Sequence, residues 1–116
     1  MPRSHPEIVL QKQCVDYLNA VVPQPPRGPF WTAINPVPGS SARLGKLAKD
    51  MGLRAGVPDL MFLYRGRLSV IELKSGKKKP SQSQLACHEA MKLAGAEIYA
   101  ANSLNEFIKV LGRVVS

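Results

Sequence analysis

The chain is short of acid. Eight Asp and Glu stand against sixteen Lys and Arg, a net charge of +8 at pH 7, and an imbalance of that size favours a polyanionic partner such as nucleic acid. Cysteine is almost missing: Cys14 and Cys87 are the only two, widely separated and outside any C-x-x-C pair. That excludes a disulfide-dense secreted scaffold and leads us to expect free thiols in a reducing compartment. Long apolar runs are absent as well. Nothing approaches the ~18 to 20 consecutive apolar residues of a membrane span, and MPRSHPEIVLQKQ at the start has no apolar core followed by a small-residue cleavage site. A cytoplasmic protein without a membrane partner is the expectation. There is no internal repeat; Pro23–Pro29 and Lys77–Lys79 read as connections. With 116 residues, 45% hydrophobic and 21% charged, residues 1–116 suit a single domain and exclude wholesale disorder.

What is present follows a regular order. Ile8, Cys14, Val15, Leu18, Val21 and Val22 recur at helical spacing from about residue 5, behind a capping box at Ser4-His5-Pro6-Glu7. Phe30-Trp31-Thr32-Ala33-Ile34 suits a short strand before Asn35-Pro36. Ser41 to Met51 predicts a short helix with Leu44, Leu47, Ala48 and Met51 inward and Arg43, Lys46 and Lys49 solvated. Asp59–Tyr64 and Leu68–Leu73 flank Arg65-Gly66-Arg67 as strands flank a hairpin turn. Ser81-Gln82-Ser83-Gln84 opens a helix that Gly95 ends, Ala96 to Ala101 is a strand, and Ser103-Leu104-Asn105-Glu106 opens a last helix with Phe107, Ile108 and Leu111 on one face. The order is α-β-α-β-β-α-β-α, an α/β fold with a mixed central sheet flanked by helices.

Against this basic background, Asp59 and Glu72 are carboxylates in strand patterns. In Glu72-Leu73-Lys74 the period of two puts the carboxylate and the ammonium on one face and Leu73 on the other. Asp59 faces Glu72 across an antiparallel pair if partnered residue numbers sum to 131, as a two-residue connection at Arg65-Gly66 dictates by pairing Tyr64 with Arg67. A three-residue connection pairs Tyr64 with Leu68 and turns Asp59 away. In the first register the two Cβ atoms are about 5 Å apart, and two charges at that distance repel by about 3 kcal/mol at an effective dielectric of ~20. Such a pair calls for a cation, and two hard oxygen ligands beside a lysine are what metal-assisted phosphodiester hydrolysis needs. The plainer alternative is a loop-end Asp59 and an ordinary cross-strand Glu72.

Taken with a helix carrying Glu7, the ordered set Gly56-Val57-Pro58-Asp59-Leu60, Ile71-Glu72-Leu73-Lys74 and Ser81-Gln82-Ser83-Gln84 followed by Gly95 resembles the PD-(D/E)xK nuclease superfamily, and more closely its VRR-NUC family in stand-alone form. The resemblance implies a restriction-endonuclease-like fold and a divalent-metal-dependent DNA endonuclease. It implies Mg²⁺ or Mn²⁺ held by Asp59, Glu72 and the Leu73 main-chain carbonyl, with Lys74 serving the attacking water. By the same resemblance Glu7 is a further acidic ligand and Gln84 a catalytic glutamine. The residues themselves leave a second role open for both, because Glu7 closes Ser4-x-x-Glu and Gln84 closes Ser81-x-x-Gln, as Glu106 closes Ser103-x-x-Glu.

Arg43, Lys46, Lys49 and Arg54 before Asp59, and Lys77, Lys78 and Lys79 after Lys74, are candidate phosphate contacts, with a solvated charged face as the alternative. His5 and His88 have no partner at ligand or triad spacing and read as surface or helix residues; Trp31 reads as core. By family resemblance the substrate is branched DNA, such as four-way junctions or flaps, in viral or phage replication, recombination or repair. A homodimer suits cutting of two strands, and no nucleotide cofactor is expected. The competing classes are a non-catalytic nucleic-acid-binding module on the same fold, and a restriction-type endonuclease or an exonuclease.

Overall fold

The structure is a computed structural model and describes residues 5–34 and 42–116, of residues 42–44 the backbone alone. Its elements run α1 (His5–Val21), β1 (Phe30–Ala33), α2 (Ala42–Asp50), β2 (Leu60–Tyr64), β3 (Arg67–Leu73), α3 (Gln82–Leu93), β4 (Glu97–Ala101) and α4 (Leu104–Val114). This is the α-β-α-β-β-α-β-α order read from periodicity. The strands form one sheet in the order β1-β2-β3-β4, with β1, β2 and β3 antiparallel and β4 parallel to β3.

The hairpin settles the register. Tyr64 pairs with Arg67 and Leu60 with Ile71, so the connection is the two-residue Arg65-Gly66, both at positive φ (52° and 77°). Those dihedrals match a type I′ turn, whose twist suits the flanking strands. Arg67 therefore opens β3 instead of belonging to the turn. The pairing ends at Leu60–Ile71, with Asp59 directly before Leu60 and Glu72 directly after Ile71, the two positions to which that register would continue.

Alternation then sorts the two faces. Leu60 and Phe62 of β2, Ile71 and Leu73 of β3 and Ala101 of β4 form the core with Leu10, Cys14 and Leu18 of α1 and Phe107, Leu111 and Val114 of α4. The Phe62 and Phe107 rings lie 6.4 Å apart at a tilted angle, an arrangement aromatic quadrupoles favour. Glu72, between Ile71 and Leu73, is directed to the opposite face, where α3 lies. Burying one of these core side chains is worth about 1.5 to 3 kcal/mol.

Two helices differ from expectation. The inward stripe of α1 is Glu7, Leu10, Cys14 and Leu18, spaced i, i+3, i+7, i+11, while Val9 and Val21 face solvent. Two helical turns are about seven residues, so Glu7 and Cys14, and Leu10 and Leu18 at eight, recur on one side of the helix, the side that packs on the core. Leu47 of α2 and Met51 just beyond its end are 52% and 80% exposed, not inward. Helical spacing defines an apolar face but not a surface to cover it. Ser4, Asn35-Pro36, Ser41 and the side chains of Arg43 and Leu44 lie outside the described residues.

Candidate active site

Asp59 is locked from two sides. Its carbonyl accepts from the Ile34 N–H at 3.0 Å, extending the β1–β2 pairing by one residue, and its Oδ2 accepts from the Leu73 N–H at 2.6 Å. The carboxylate thus bridges to the strand that carries Glu72. Asp59 and Glu72 are only 3% and 4% exposed, and acidic residues are rarely that buried without compensating partners.

The approach to Asp59 depends on Gly56. Its φ is +82°, and a Cβ there would collide with the Ser83 carbonyl and the Gln84 nitrogen. The Gly56-Val57-Pro58-Asp59 segment is therefore in backbone contact with the first turn of α3. That turn is held by a complete capping box: the Gln84 N–H donates to Ser81 Oγ at 3.2 Å, and the Ser81 N–H donates to Gln84 Oε1 at 2.9 Å. Gln84 accordingly serves the cap in this structure.

Lys74 follows directly on β3, half-buried, with its N–H donating to the Ala101 carbonyl at 3.0 Å. Glu7 sits on the inward stripe of α1, 6% exposed, with Lys78 Nζ 3.9 Å from its Oε1. A cap glutamate at a helix start normally stays in water, so this burial departs from what capping alone requires. Lys46, Lys49, Arg54, Lys77, Lys78 and Lys79 are all exposed, and Arg54 is close enough to lower the Cys87 thiol pKa. The Cys87 thiol is nevertheless raised overall, by burial first, with Glu72 adding in the same direction.

His88 corrects the sequence reading. It lies on helix α3, as one half of that reading allowed, but it is neither at the surface nor without a partner: its side chain is 12% exposed and its Nε2 lies 3.3 Å from Glu72 Oε1. Burial, then the positive charges of Lys92 and Lys74, hold the imidazole below its usual range, with Asp59 pulling the other way. The signal was faint. His88 follows Gln84 by four positions and Cys87 directly, so all three share the inner side of α3, but nothing in the sequence says that this side meets Glu72. Trp31 packs against the core as expected.

The residues fit a hard divalent cation. Among the described residues no group of three or more His, Cys, Asp and Glu side chains is gathered as a metal cage. Magnesium does not require a cage. It is commonly held by one or two carboxylates, with water and substrate phosphate completing the octahedron. Buried Asp59 and Glu72 offer two carboxylates of the hard-oxygen type such a site uses. Among the described residues, no helix is long and apolar enough to cross a membrane.

The architecture has solved counterparts. A structure described as "VRR_NUC domain protein" superimposes with a TM-score of 0.73 and 21% identity over 96% of this chain and 88% of its own. A second, described as "VRR_NUC domain", gives a TM-score of 0.63 and 22% identity over 94% of this chain and 97% of its own. No protein-family model and no curated protein matches the chain. The chain has the fold of these VRR-NUC domain structures, in agreement with the resemblance its motifs carry.

Proposed function

We propose that the chain is a VRR-NUC nuclease that hydrolyses DNA phosphodiesters with Mg²⁺ or Mn²⁺. The observation that carries this reading is the burial of Asp59, directly before β2, and of Glu72 on the adjacent β3, with Lys74 next but one to Glu72 in a strongly basic chain. Asp59, Glu72 and the Leu73 carbonyl would hold the ion, which when bound would supply Lewis-acid stabilisation of the phosphate and a more acidic water.

The chain's own groups do the rest. Lys74 orients the attacking water and offsets negative charge developing on the oxygens of the phosphorane. Lys46, Lys49, Arg54 and Lys77–Lys79, together with Arg43, contact backbone phosphates and hold the strand in register without reading sequence. Glu7 keeps Lys78 at the edge of the site and is a candidate further ligand, and Gln84 secures the α3 turn against which the Asp59 segment rests. No covalent enzyme intermediate is required.

The substrate class we propose is branched DNA, four-way junctions or flaps, cut during viral or phage replication, recombination or repair. One small unit with one site cuts two strands most simply as a two-fold homodimer, which light scattering at working concentration checks. The function is tested by incubating wild type and Asp59→Asn with labelled junction, flap, linear duplex and single-stranded DNA in Mg²⁺, Mn²⁺ or EDTA. Metal-dependent cleavage by wild type that disappears in the folded variant is expected, and the preferred substrate names the class. Salt-dependent binding by both proteins with no cleavage in any metal would instead assign a non-catalytic binding module.

A further inference from the structure

His88 is a polar side chain that the reaction just described does not use. It stands with Gln84, Cys87 and Met91 on the half-buried side of α3, spaced i, i+3, i+4 and i+7. Its Nε2 is 3.3 Å from Glu72 Oε1, and the Glu72 side chain is 5% exposed. An ionised carboxylate only accepts, so the contact requires the ring proton on Nε2, with the bond running from His88 to Glu72. Neutral imidazole suffices as the donor.

The consequence is geometric. Glutamate has three rotors, and its terminal torsion is broad and nearly two-fold, so burial alone leaves the orientation of the carboxylate plane loosely determined. Asp59 meets this difficulty with a main-chain donor, the Leu73 N–H. Glu72 has a longer chain, and the imidazole approaches it from α3, an element anchored independently by its Ser81–Gln84 box and by the close approach of Gly56.

We propose that His88 is a positioning residue that holds the Glu72 carboxylate in its ion-binding orientation through an Nε2–H···Oε1 bond. The inference rests on the reading of Glu72 as a metal ligand and deepens it. Partners of this kind, which touch the ligand and not the ion, typically contribute 10- to 100-fold in metal affinity.

The experiment titrates the full chain with MnCl₂ alone, without DNA, by calorimetry. It compares wild type with His88→Gln, which retains an N–H donor at similar reach, and His88→Leu, which keeps the volume without the donor. His88→Asn, polar but too short to reach Oε1, is a second donor-less variant should the Leu variant fold poorly. Circular dichroism and thermal melts establish which variants are folded. Wild type and His88→Gln are expected to bind Mn²⁺ within about threefold of each other, and His88→Leu and His88→Asn at least about tenfold more weakly. A purely structural histidine would alter melting and leave the Mn²⁺ affinity of the folded variants unchanged. Unchanged affinity in the donor-less variants, or a loss in His88→Gln as large as theirs, overturns the proposal while the metal reading stands. A folded wild type that binds no Mn²⁺ overturns the metal reading and the positioning role with it.

Discussion

The N–H of Leu73 donates to Oδ2 of Asp59 at 2.6 Å, so the carboxylate at the entrance to β2 is held by the backbone of β3. The same bond secures the strand that bears Glu72. Asparagine at position 59 keeps an acceptor but loses the charge. We expect Asp59→Asn to melt near wild type and to cleave no better than wild type in EDTA. Asp59→Ala leaves the buried Leu73 N–H without this acceptor and is expected to cost about 1 to 3 kcal/mol, read by thermal or denaturant unfolding.

Gly56 and Gly52 both have positive φ, +82° and +107°, but only at Gly56 would a Cβ strike neighbouring backbone. Gly52→Ala should cost about 1 to 2 kcal/mol, the strain of a left-handed L residue. Gly56→Ala should cost more and should reduce cleavage even where the protein remains folded, because the Asp59 segment must move off α3. Equal melting temperatures and equal activities for the two variants would contradict this.

Glu7 distinguishes a cap from a site residue. Loss of a cap costs about 1 kcal/mol and leaves chemistry intact in the folded protein. Its burial and its pairing with Lys78 lead us to expect the reverse for Glu7→Gln: cleavage falls while the melting temperature changes little. Parallel melts and cleavage time courses decide between them.

The exposed lysines have a salt signature. If Lys77 and Lys79 each contact a phosphate, neutralising either should weaken binding to all sequences alike and reduce the slope of log affinity against log salt by about one. Binding titrations with Asp59→Asn as the parent separate this from cleavage. Unchanged slopes would leave the two lysines as a solvated face.

The two thiols should behave differently. Burial, and then the negative charge of Asp59, push the Cys14 thiol from 9.0 up to about 12, and its side chain is inaccessible. Native protein should therefore present at most one reactive thiol to a thiol reagent near pH 8, and both after unfolding. Between pH 9 and about 12 the unfolded chain has released the Cys14 proton while the folded chain retains it, so stability falls as pH rises through that window. Cys14→Ala should flatten the fall in a series of denaturant unfolding curves.

Much of the candidate site was legible because it is built from local rules. The two-residue Arg65-Gly66 turn sets the hairpin register, and it does so without any contact between distant parts of the chain. Ser81 and Gln84 announced their cap for the same reason, since a capping box is complete within four residues. Local rules were weaker for helix faces. Helical spacing identified apolar positions in α1 and α2, but which of them a neighbour covers depends on where the sheet lies, and Leu47 and Met51 remained exposed.

By itself, then, the sequence determined the element order and the hairpin with its register, because turn geometry and strand alternation act over a few residues. Only the tertiary structure decided that Gly56 rests on α3, that Glu7 is buried beside Lys78, and that His88 meets Glu72. Each of those contacts joins elements whose mutual placement follows from packing around a common core, and packing depends on the whole surface of each element, not on the order of its residues.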